Sequence, residues 1–341
     1  MGTMSRRLIT SLDVARAAGV SQSAVSRAFR EGASISPGLR QRVAEAAKRL
    51  GYTPNAFARG LNTRETGLIG VVMESLVNPV QSALLDALLA ALEGTGWRPL
   101  LTGAADHASL VAALAGMEAY RPEGVIVCAP TLPPALGARL HEDRVPVVVL
   151  NRYPGRGRRG RPACVRCDNR AGAAALARHL LGLGHRRIAI LRGPPGAPAA
   201  EDRVDAFRAA LAEAGVAPAA EVAGGYAYAD GAGAAEALIQ GGGPLPSAVF
   251  CANDLSALGA MDAARRLGLS VPGDLAVTGF DGIPAAGFAA YGLTTAEQDM
   301  PAMAQRAIGL VAARIAAPEL PAETVLVPPR LVIRASTAPA A

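Results

Sequence analysis

The chain has 341 residues, enough for two or three domains, and its 51% hydrophobic and 18% charged residues supply a sizeable core and exclude global disorder. The formal charge of +6 sits in the first fifth: residues 1–64 carry 11 Lys and Arg against Asp13, Glu31 and Glu45, while the remainder is slightly acidic. A short basic module fused to a near-neutral body points to a polyanion as the partner of the first part. No apolar run reaches about 18 residues, the start MGTMSRRLITSLD lacks an apolar signal core, and four scattered cysteines do not make a disulfide scaffold. A membrane span and secretion are therefore not expected, and a cytoplasmic location is.

Three short helices are predicted in residues 10–50. Thr10 and Asp13 form a capping-box pattern ahead of Leu12, Val14, Ala15 and Ala18 at helical spacing, and Gly19 ends that run. Ser21 can cap a second helix, Gln22 to Phe29, with Ala24, Val25 and Ala28 inward; Ser36 and Pro37 open a third that runs to Leu50 and stops at Gly51. Two helices joined by a tight AGV turn read as a helix-turn-helix, whose second helix enters the major groove of DNA. Gln22, Ser23, Ser26 and Arg27 lie on its outer side, where arginine can pair with guanine O6 and N7 and glutamine with adenine N6 and N7. Ser21, Arg40, Asn55 and Arg59 suit phosphates, which position a protein without reading sequence. The bland reading, a small helical bundle with a polar surface, is countered by the charge split.

The segment TSLDVARAAGVSQSAVSRAF…ISPGLRQRVAEAAKRLGYTPNAFARGL, over residues 9–61, resembles the N-terminus of the lactose-repressor (LacI/GalR) family of bacterial transcription regulators. The resemblance implies that residues 52–66 are a hinge that becomes helical on DNA, with Tyr52, Pro54, Asn55, Ala58 and Leu61 at its motif positions and Leu61 wedged into the minor groove. Such a wedge unstacks a base step and bends the duplex onto the protein. Gly60 lowers helicity by about 1 kcal/mol relative to alanine, which suits a segment ordered only on DNA.

From Thr66 onward, apolar runs alternate with helical stretches: LIGVVM, Pro79–Leu92, Arg98–Leu101, Ser109–Tyr120, GVIVCA and VPVVVL, then RRIAIL, Val204–Ala214, SAVFCA, Leu255–Leu267 and LAVTGF. This alternation predicts two α/β subdomains with parallel sheets and a ligand crevice beyond the carboxyl ends of the strands. Tyr153–Arg161 (YPGRGRRGR) reads as an exposed loop.

DNRAGAAALARHLLGLGHRRIAIL (168–191), Arg203 to Phe207, residues 250–283 and LTTAEQ (293–298) resemble the effector-binding core of the same family, which shares its fold with periplasmic sugar-binding proteins. The resemblance implies effector contacts from Arg203, Asn253 and Asp281, an aromatic position at Tyr226, and polar positions on the other wall at Asn151 and Asp168. Where many relatives carry NPFF, this chain has Asn78-Pro79-Val80-Gln81, so Gln81 stands on a wall with less power to stack on a ring. Asp281 can accept from two hydroxyls and Arg203 supplies a rigid donor fork. Taken singly, Asp281 also reads as a turn residue in GFDG, and Asn253–Asp254 as a helix cap, with Asp254 assigned mainly to capping.

The expected fold is thus an N-terminal all-α helix-turn-helix head (8–51), the hinge (52–66), and an α/β core (67–336) like periplasmic binding proteins, made of two doubly wound parallel-sheet subdomains. The core divides into about 67–162 with 282–296, and 163–281 with 297–336. The expected function is an effector-controlled, homodimeric regulator, a repressor by preference, on a pseudo-palindromic double-stranded DNA operator. Its effector is expected to be a sugar, sugar acid or polyol; a purine or other metabolite, or a role in sugar transport, stands as the alternative. No leucine heptads follow Arg334, so a tetramer is not expected. Cys164 and Cys167 have CxxC spacing but no second ligand pair, and Walker loop, nucleophile elbow and HExxH motifs are missing; no metal, cofactor or catalysis is expected.

Overall fold

The computed structural model describes residues 9–29, 32–53, 66–128, 145–153 and 162–337. They form two units, one ending at Gly67 and one beginning at Leu68. The hinge positions Pro54, Asn55, Ala58, Arg59 and Leu61, and the arginine-rich stretch 154–161, lie outside the described residues.

In the first unit, α1 (Ser11–Ala18), α2 (Gln22–Ala28) and α3 (Pro37–Leu50) begin and end where local chemistry directs. Thr10 and Asp13 close the capping box, the Thr10 N–H donating to Asp13 Oδ2 at 2.9 Å. Ser21 and Ser36 accept from Ala24 and Leu39. Gly19 and Gly51 end α1 and α3 at φ 64° and 66°, a left-handed turn that a Cβ would disfavour. Val14, Ala15, Val25, Ala28, Val43, Ala46 and Ala47 make the core, ringed by Ile35, Leu50, Phe29 and Tyr52. Leu12 departs from the expected inward stripe and is exposed, lying about 160° around the helix from the fully buried Val14.

The second unit holds two six-stranded sheets. The first has the order β11-β5-β4-β3-β1-β2 and the second β12-β10-β9-β8-β6-β7. Their strands are β1 (Leu68–Met73), β2 (Arg98–Gly103), β3 (Gly124–Cys128), β4 (Val147–Leu150), β5 (Ala163–Cys167), β6 (Ile188–Leu191), β7 (Ala220–Val222), β8 (Ala248–Cys251), β9 (Ala276–Asp281), β10 (Thr294–Glu297), β11 (Thr324–Val327) and β12 (Arg330–Val332). All pairs are parallel except β12 with β10, an antiparallel edge. In each sheet the chain runs outward once, then returns to the far side of its first strand, creating switch points beside β1 and β6. Phe207 and Phe250 stack at 4.2 Å in the core of the second half. The helices Tyr228–Gln240 and Asp254–Arg266 touch backbone to backbone there: a Cβ on Gly259 would stand 2.0 Å from the Tyr228 carbonyl oxygen.

The expected subdomain boundaries at 162, 282 and 297 are corrected by strand pairing. β5 pairs with β4 (Val149↔Cys164), so the chain first leaves sheet one at Asp168. β10 pairs with β9 (Thr294↔Thr278), which keeps residues 282–297 with sheet two. The helix Met300–Ala316 then packs on Pro79–Leu92 of the first half, and β11 pairs with β5 (Thr324↔Cys164). The chain therefore crosses between halves at Asp168, at Gln298–Asp299 and between β11 and β12.

Candidate functional site

On the first unit, Ser21, Gln22, Ser23, Ser26 and Arg27 are exposed, on the side of α2 opposite Ala24, Val25 and Ala28. Gln22 Nε2 donates to Ser11 Oγ at 2.9 Å, tying the start of α2 to α1. Ser21 combines its cap with a 2.9 Å contact to Ser23 Oγ. Arg40, expected at a phosphate, donates from its guanidinium to the Ala28 and Ala33 carbonyls at 2.8 and 3.2 Å. It braces the end of α2 against α3, since carbonyls left over at a helix end need donors.

On the second unit, the carboxyl ends of the strands converge on a cavity of about 290 Å³, close to the lower end of the size range that houses small molecules. Glu74 and Asn78 follow β1, Asn151, Arg152 and Tyr153 follow β4, Tyr226 and Asn253 follow β7 and β8, and Asp281 and Gln298 follow from β9 and β10. Of the seven expected effector residues, Gln81, Asn151, Arg203, Tyr226, Asn253 and Asp281 line it. Asp168 does not: its carboxylate caps the helix Asn169–Gly182, accepting from the Ala171 N–H at 3.0 Å. A cap position at the strand-to-helix turn directs that oxygen along the helix axis.

Arg203 and Asp281 form the buried centre, with Nη2 to Oδ1 at 2.9 Å and side chains 6% and 8% exposed. Arg203 also donates from Nε to Asn169 Oδ1 and from Nη1 to the Ala252 carbonyl, each at 2.8 Å, and lies 3.8 Å over the Phe280 ring. Gln298 Nε2 donates to the same Asp281 oxygen at 2.8 Å. Burial pushes the Asp281 carboxyl above its ordinary range, with Arg203 and Gln298 opposing. Burial disfavours the Arg203 cation too, but Asp281, with smaller help from Tyr226 and Cys167, more than offsets it, so the guanidinium pKa is raised. Asp281 (φ 121°) and Asn151 (φ 52°) both adopt left-handed backbone on the cavity wall, the kind of strain that collects at functional sites.

Asn253 is the helix cap, accepting from the Ser256 N–H at 3.1 Å while its Nδ2 donates to the Tyr226 carbonyl at 2.9 Å. The capping role expected of Asp254 is corrected. Its buried carboxylate accepts from Gly282 and Ile283 N–H at 2.7 and 2.9 Å and from Thr295 Oγ1 at 2.6 Å, pinning the turn after β9 to β10. Burial, then the nearby Asp281, push the Asp254 carboxyl up to about 7. An unfolded aspartate titrates near ~3.9, so the native chain holds a proton there that the unfolded chain releases. The stabilisation is whole below about pH 4 and is lost as pH rises through about 7. Asp254→Asn is expected to remove that component of the pH dependence, read by urea denaturation at several pH values; an unchanged profile would assign the slope elsewhere.

Sequence reasoning missed Glu74, Arg152, Tyr153, Asn169 and Gln298. Arg152 and Glu74 are ion-paired. Tyr153 donates to Asp202 on the helix Pro198–Glu213 of the other half. Arg166 on β5 donates to Tyr153 Oη at 2.8 Å, lies 4.2 Å from its ring centre and stands 3.4 Å from Asp202; Arg170 adds a contact to Asp202 at 3.3 Å. For Glu74, Arg152, Tyr153, Asn169 and Gln298 the signal available was position alone, because each follows the carboxyl end of a strand or opens the next helix. Cys164 and Cys167 are both buried in β5, and Cys164 Sγ donates to the Arg152 carbonyl at 3.3 Å. Among the described residues, no cluster of potential metal ligands occurs and no helix is long and apolar enough to cross a membrane.

Residues 10–55 match the family described as bacterial regulatory proteins, lacI family, and residues 177–337 match the periplasmic binding protein-like domain. The chain is 35% identical to an uncharacterized HTH-type transcriptional regulator in the aml 5' region of Streptomyces limosus, over 96% of this chain and 93% of that one. It is 30% identical to the ribose operon repressor of Escherichia coli (strain K12), over 96% and 100% of the two chains. Among solved structures it is similar to the lac repressor dimer bound to operator and the anti-inducer ONPF, at 26% identity and TM-score 0.86, covering 97% of this chain and 100% of that one.

Proposed function

The chain belongs to the lacI family of bacterial transcriptional regulators, and from that premise we propose that it represses transcription as a homodimer whose grip on its operator is set by a small polar molecule in the cleft. One observation carries this reading: Gln81, Asn151, Arg203, Tyr226, Asn253 and Asp281, drawn from both halves of the body, converge on one cavity. Two relatives lend it support by what they are named, one a ribose operon repressor and one a repressor dimer bound to operator with an anti-inducer. Regulation of transcription, rather than catalysis, and a cytoplasmic site of action follow.

On DNA, α2 lies in the major groove, where Arg27 donates to guanine and Gln22 exchanges its Ser11 contact for adenine. Ser21, Asn55 and Arg59 hold phosphates. The hinge 52–66 orders on the duplex, Ala58 facing the partner's hinge and Leu61 entering the minor groove. Two-fold symmetry makes the operator a pseudo-palindrome. Effector in the cleft acts across the Tyr153–Asp202 bridge, because a ligand that favours one arrangement of the halves shifts the population of DNA-competent dimers. Selection from a random duplex pool is expected to enrich a two-fold related site, bound with a steep salt dependence. Enrichment of no sequence would remove the DNA-reading role.

A further inference from the structure

We propose, resting on the cleft reading above, that Tyr153, Arg166 and Asp202 form a clasp that holds the two halves of the body closed over the cavity before any ligand enters, and that Asn169 couples this clasp to Arg203. One carboxylate makes the joint. Asp202, on the helix Pro198–Glu213 of the second half, accepts from Tyr153 Oη and, through Oδ2, stands 3.4 Å from Arg166 Nη1, both partners belonging to the first half. Its Oδ1 stands 3.3 Å from Arg170 Nη1 of the second half. A cation from each half thus shares a single counterion. Arg166 and Asp202 are only 20% and 24% exposed, so water and salt screen them less than a pair on open surface. Without that carboxylate, guanidinium groups on opposite sides of the seam are left to repel, and closure therefore turns on Asp202. Every partner is a protein side chain, so the clasp is complete without a ligand atom.

The clasp reaches the centre of the cavity in two steps. Asn169, buried at the crossing between the halves, donates from Nδ2 to Tyr153 Oη at 3.4 Å and accepts from Arg203 Nε on Oδ1 at 2.8 Å. Arg166 fixes the phenol, donating to its Oη at 2.8 Å and lying 4.2 Å from its ring centre. Tyr153 and Arg203 both line the cavity, so breaking the clasp loosens residues that meet the ligand. Asn151 of the first half and Asn253 and Asp281 of the second reach one ligand together only when the halves are closed. Apparent affinity scales with the fraction of molecules already in that arrangement. The clasp therefore sets, in the ligand-free protein, the balance that a ligand later shifts. Cys167 reports on it. Its thiol is buried at the end of β5, and burial pushes it up to about 12, with Arg203 and Asp281 of the second half next in effect, which places it at the seam. Such a thiol is alkylated when the seam opens.

The test compares the full chain with Asp202→Asn, Tyr153→Phe and Arg208→Ala, all without ligand. Arg208 is the control: on the same helix as Asp202, it pairs with Asp205 and Glu221 inside the second half, so its loss weakens ion pairs that do not cross the seam. Iodoacetamide labelling, mapped by mass spectrometry, is expected to be about 10-fold faster at Cys167 in Asp202→Asn and Tyr153→Phe. Cys251, buried in β8 of the second half, should be labelled at the wild-type rate, and Arg208→Ala should match wild type at both thiols. The Kd for the selected operator, by fluorescence anisotropy, is expected to shift by about 5-fold or more in the same two variants. Combining them should leave that Kd within about 2-fold of Asp202→Asn alone, because both break one clasp. Wild-type labelling of Cys167 in either variant overturns the inference. So does faster labelling of Cys167 and Cys251 alike, or an equal change in Arg208→Ala, since either marks general loosening. Faster labelling confined to Cys167 with an unmoved operator Kd keeps the clasp and rejects the reading in which the arrangement of the halves governs the grip on DNA.

Discussion

Replacing Arg203 with alanine is expected to destabilise the body by about 3–5 kcal/mol and to abolish effector binding. The magnitude follows from what is left behind, a buried Asp281 carboxylate with its strongest partner removed, rather than from the intrinsic worth of the pair. Three further contacts go with the guanidinium: Asn169, the Ala252 carbonyl and the face of Phe280. The deficit has a pH signature. Without Arg203, one of the influences that holds the Asp281 carboxyl down is gone, so the variant takes up a proton on folding over a wider range. A raised native pKa makes stability greatest at low pH and smaller as pH rises, and the loss should therefore grow from acid to neutral conditions in urea denaturation. Arg203→Met with Asp281→Leu, which removes both charges, should recover much of the stability and none of the ligand response. A single variant that loses less than about 1 kcal/mol would mean that the pair is hydrated rather than buried.

Arg27→Ala is expected to weaken specific operator binding by about 1–3 kcal/mol per half-site, roughly 5- to 160-fold each, while the thermal shift by effector is unchanged. Arg27 is exposed on the reading side of α2, away from the Val14–Val25–Val43 core, so the variant's folding should match wild type. Non-specific binding at low salt should fall by no more than one phosphate contact's share. Arg40 supplies the contrast: its fork ends on the Ala28 and Ala33 carbonyls, so Arg40→Ala should lower the stability of the head, with any loss of binding following from that. Operator affinity unaltered by Arg27→Ala would contradict the assignment of α2 as the recognition helix.

The head was legible almost residue by residue because its determinants are local. Thr10, Gly19, Ser21, Ser36 and Gly51 act on backbone within four residues of themselves. The bracing contacts of Arg40 were hidden for the opposite reason: basic side chains on a basic module look alike until the fold shows which carbonyls lie within reach. In the body, the buried strands LIGVVM and LAVTGF announced themselves as apolar runs, whereas β5, β10, β11 and β12 are short and mixed in polarity. Membership of a sheet is a long-range pairing, and so the crossings at Asp168 and Gln298–Asp299 were displaced in the sequence reading. The same limit hid Gln298 and promoted Asp168. Both stand at crossings, and only the fold shows that one side chain turns to Asp281 and the other caps a helix.

The central claim, that a cleft ligand governs the grip on DNA, is tested most directly by fluorescence anisotropy of a labelled selected operator, titrated with the protein with and without a saturating sugar that binds. The expected result is a change in Kd of about 5- to 150-fold, matched by an equal change in the sugar's affinity when operator is present. The same operator Kd at every sugar concentration would contradict it.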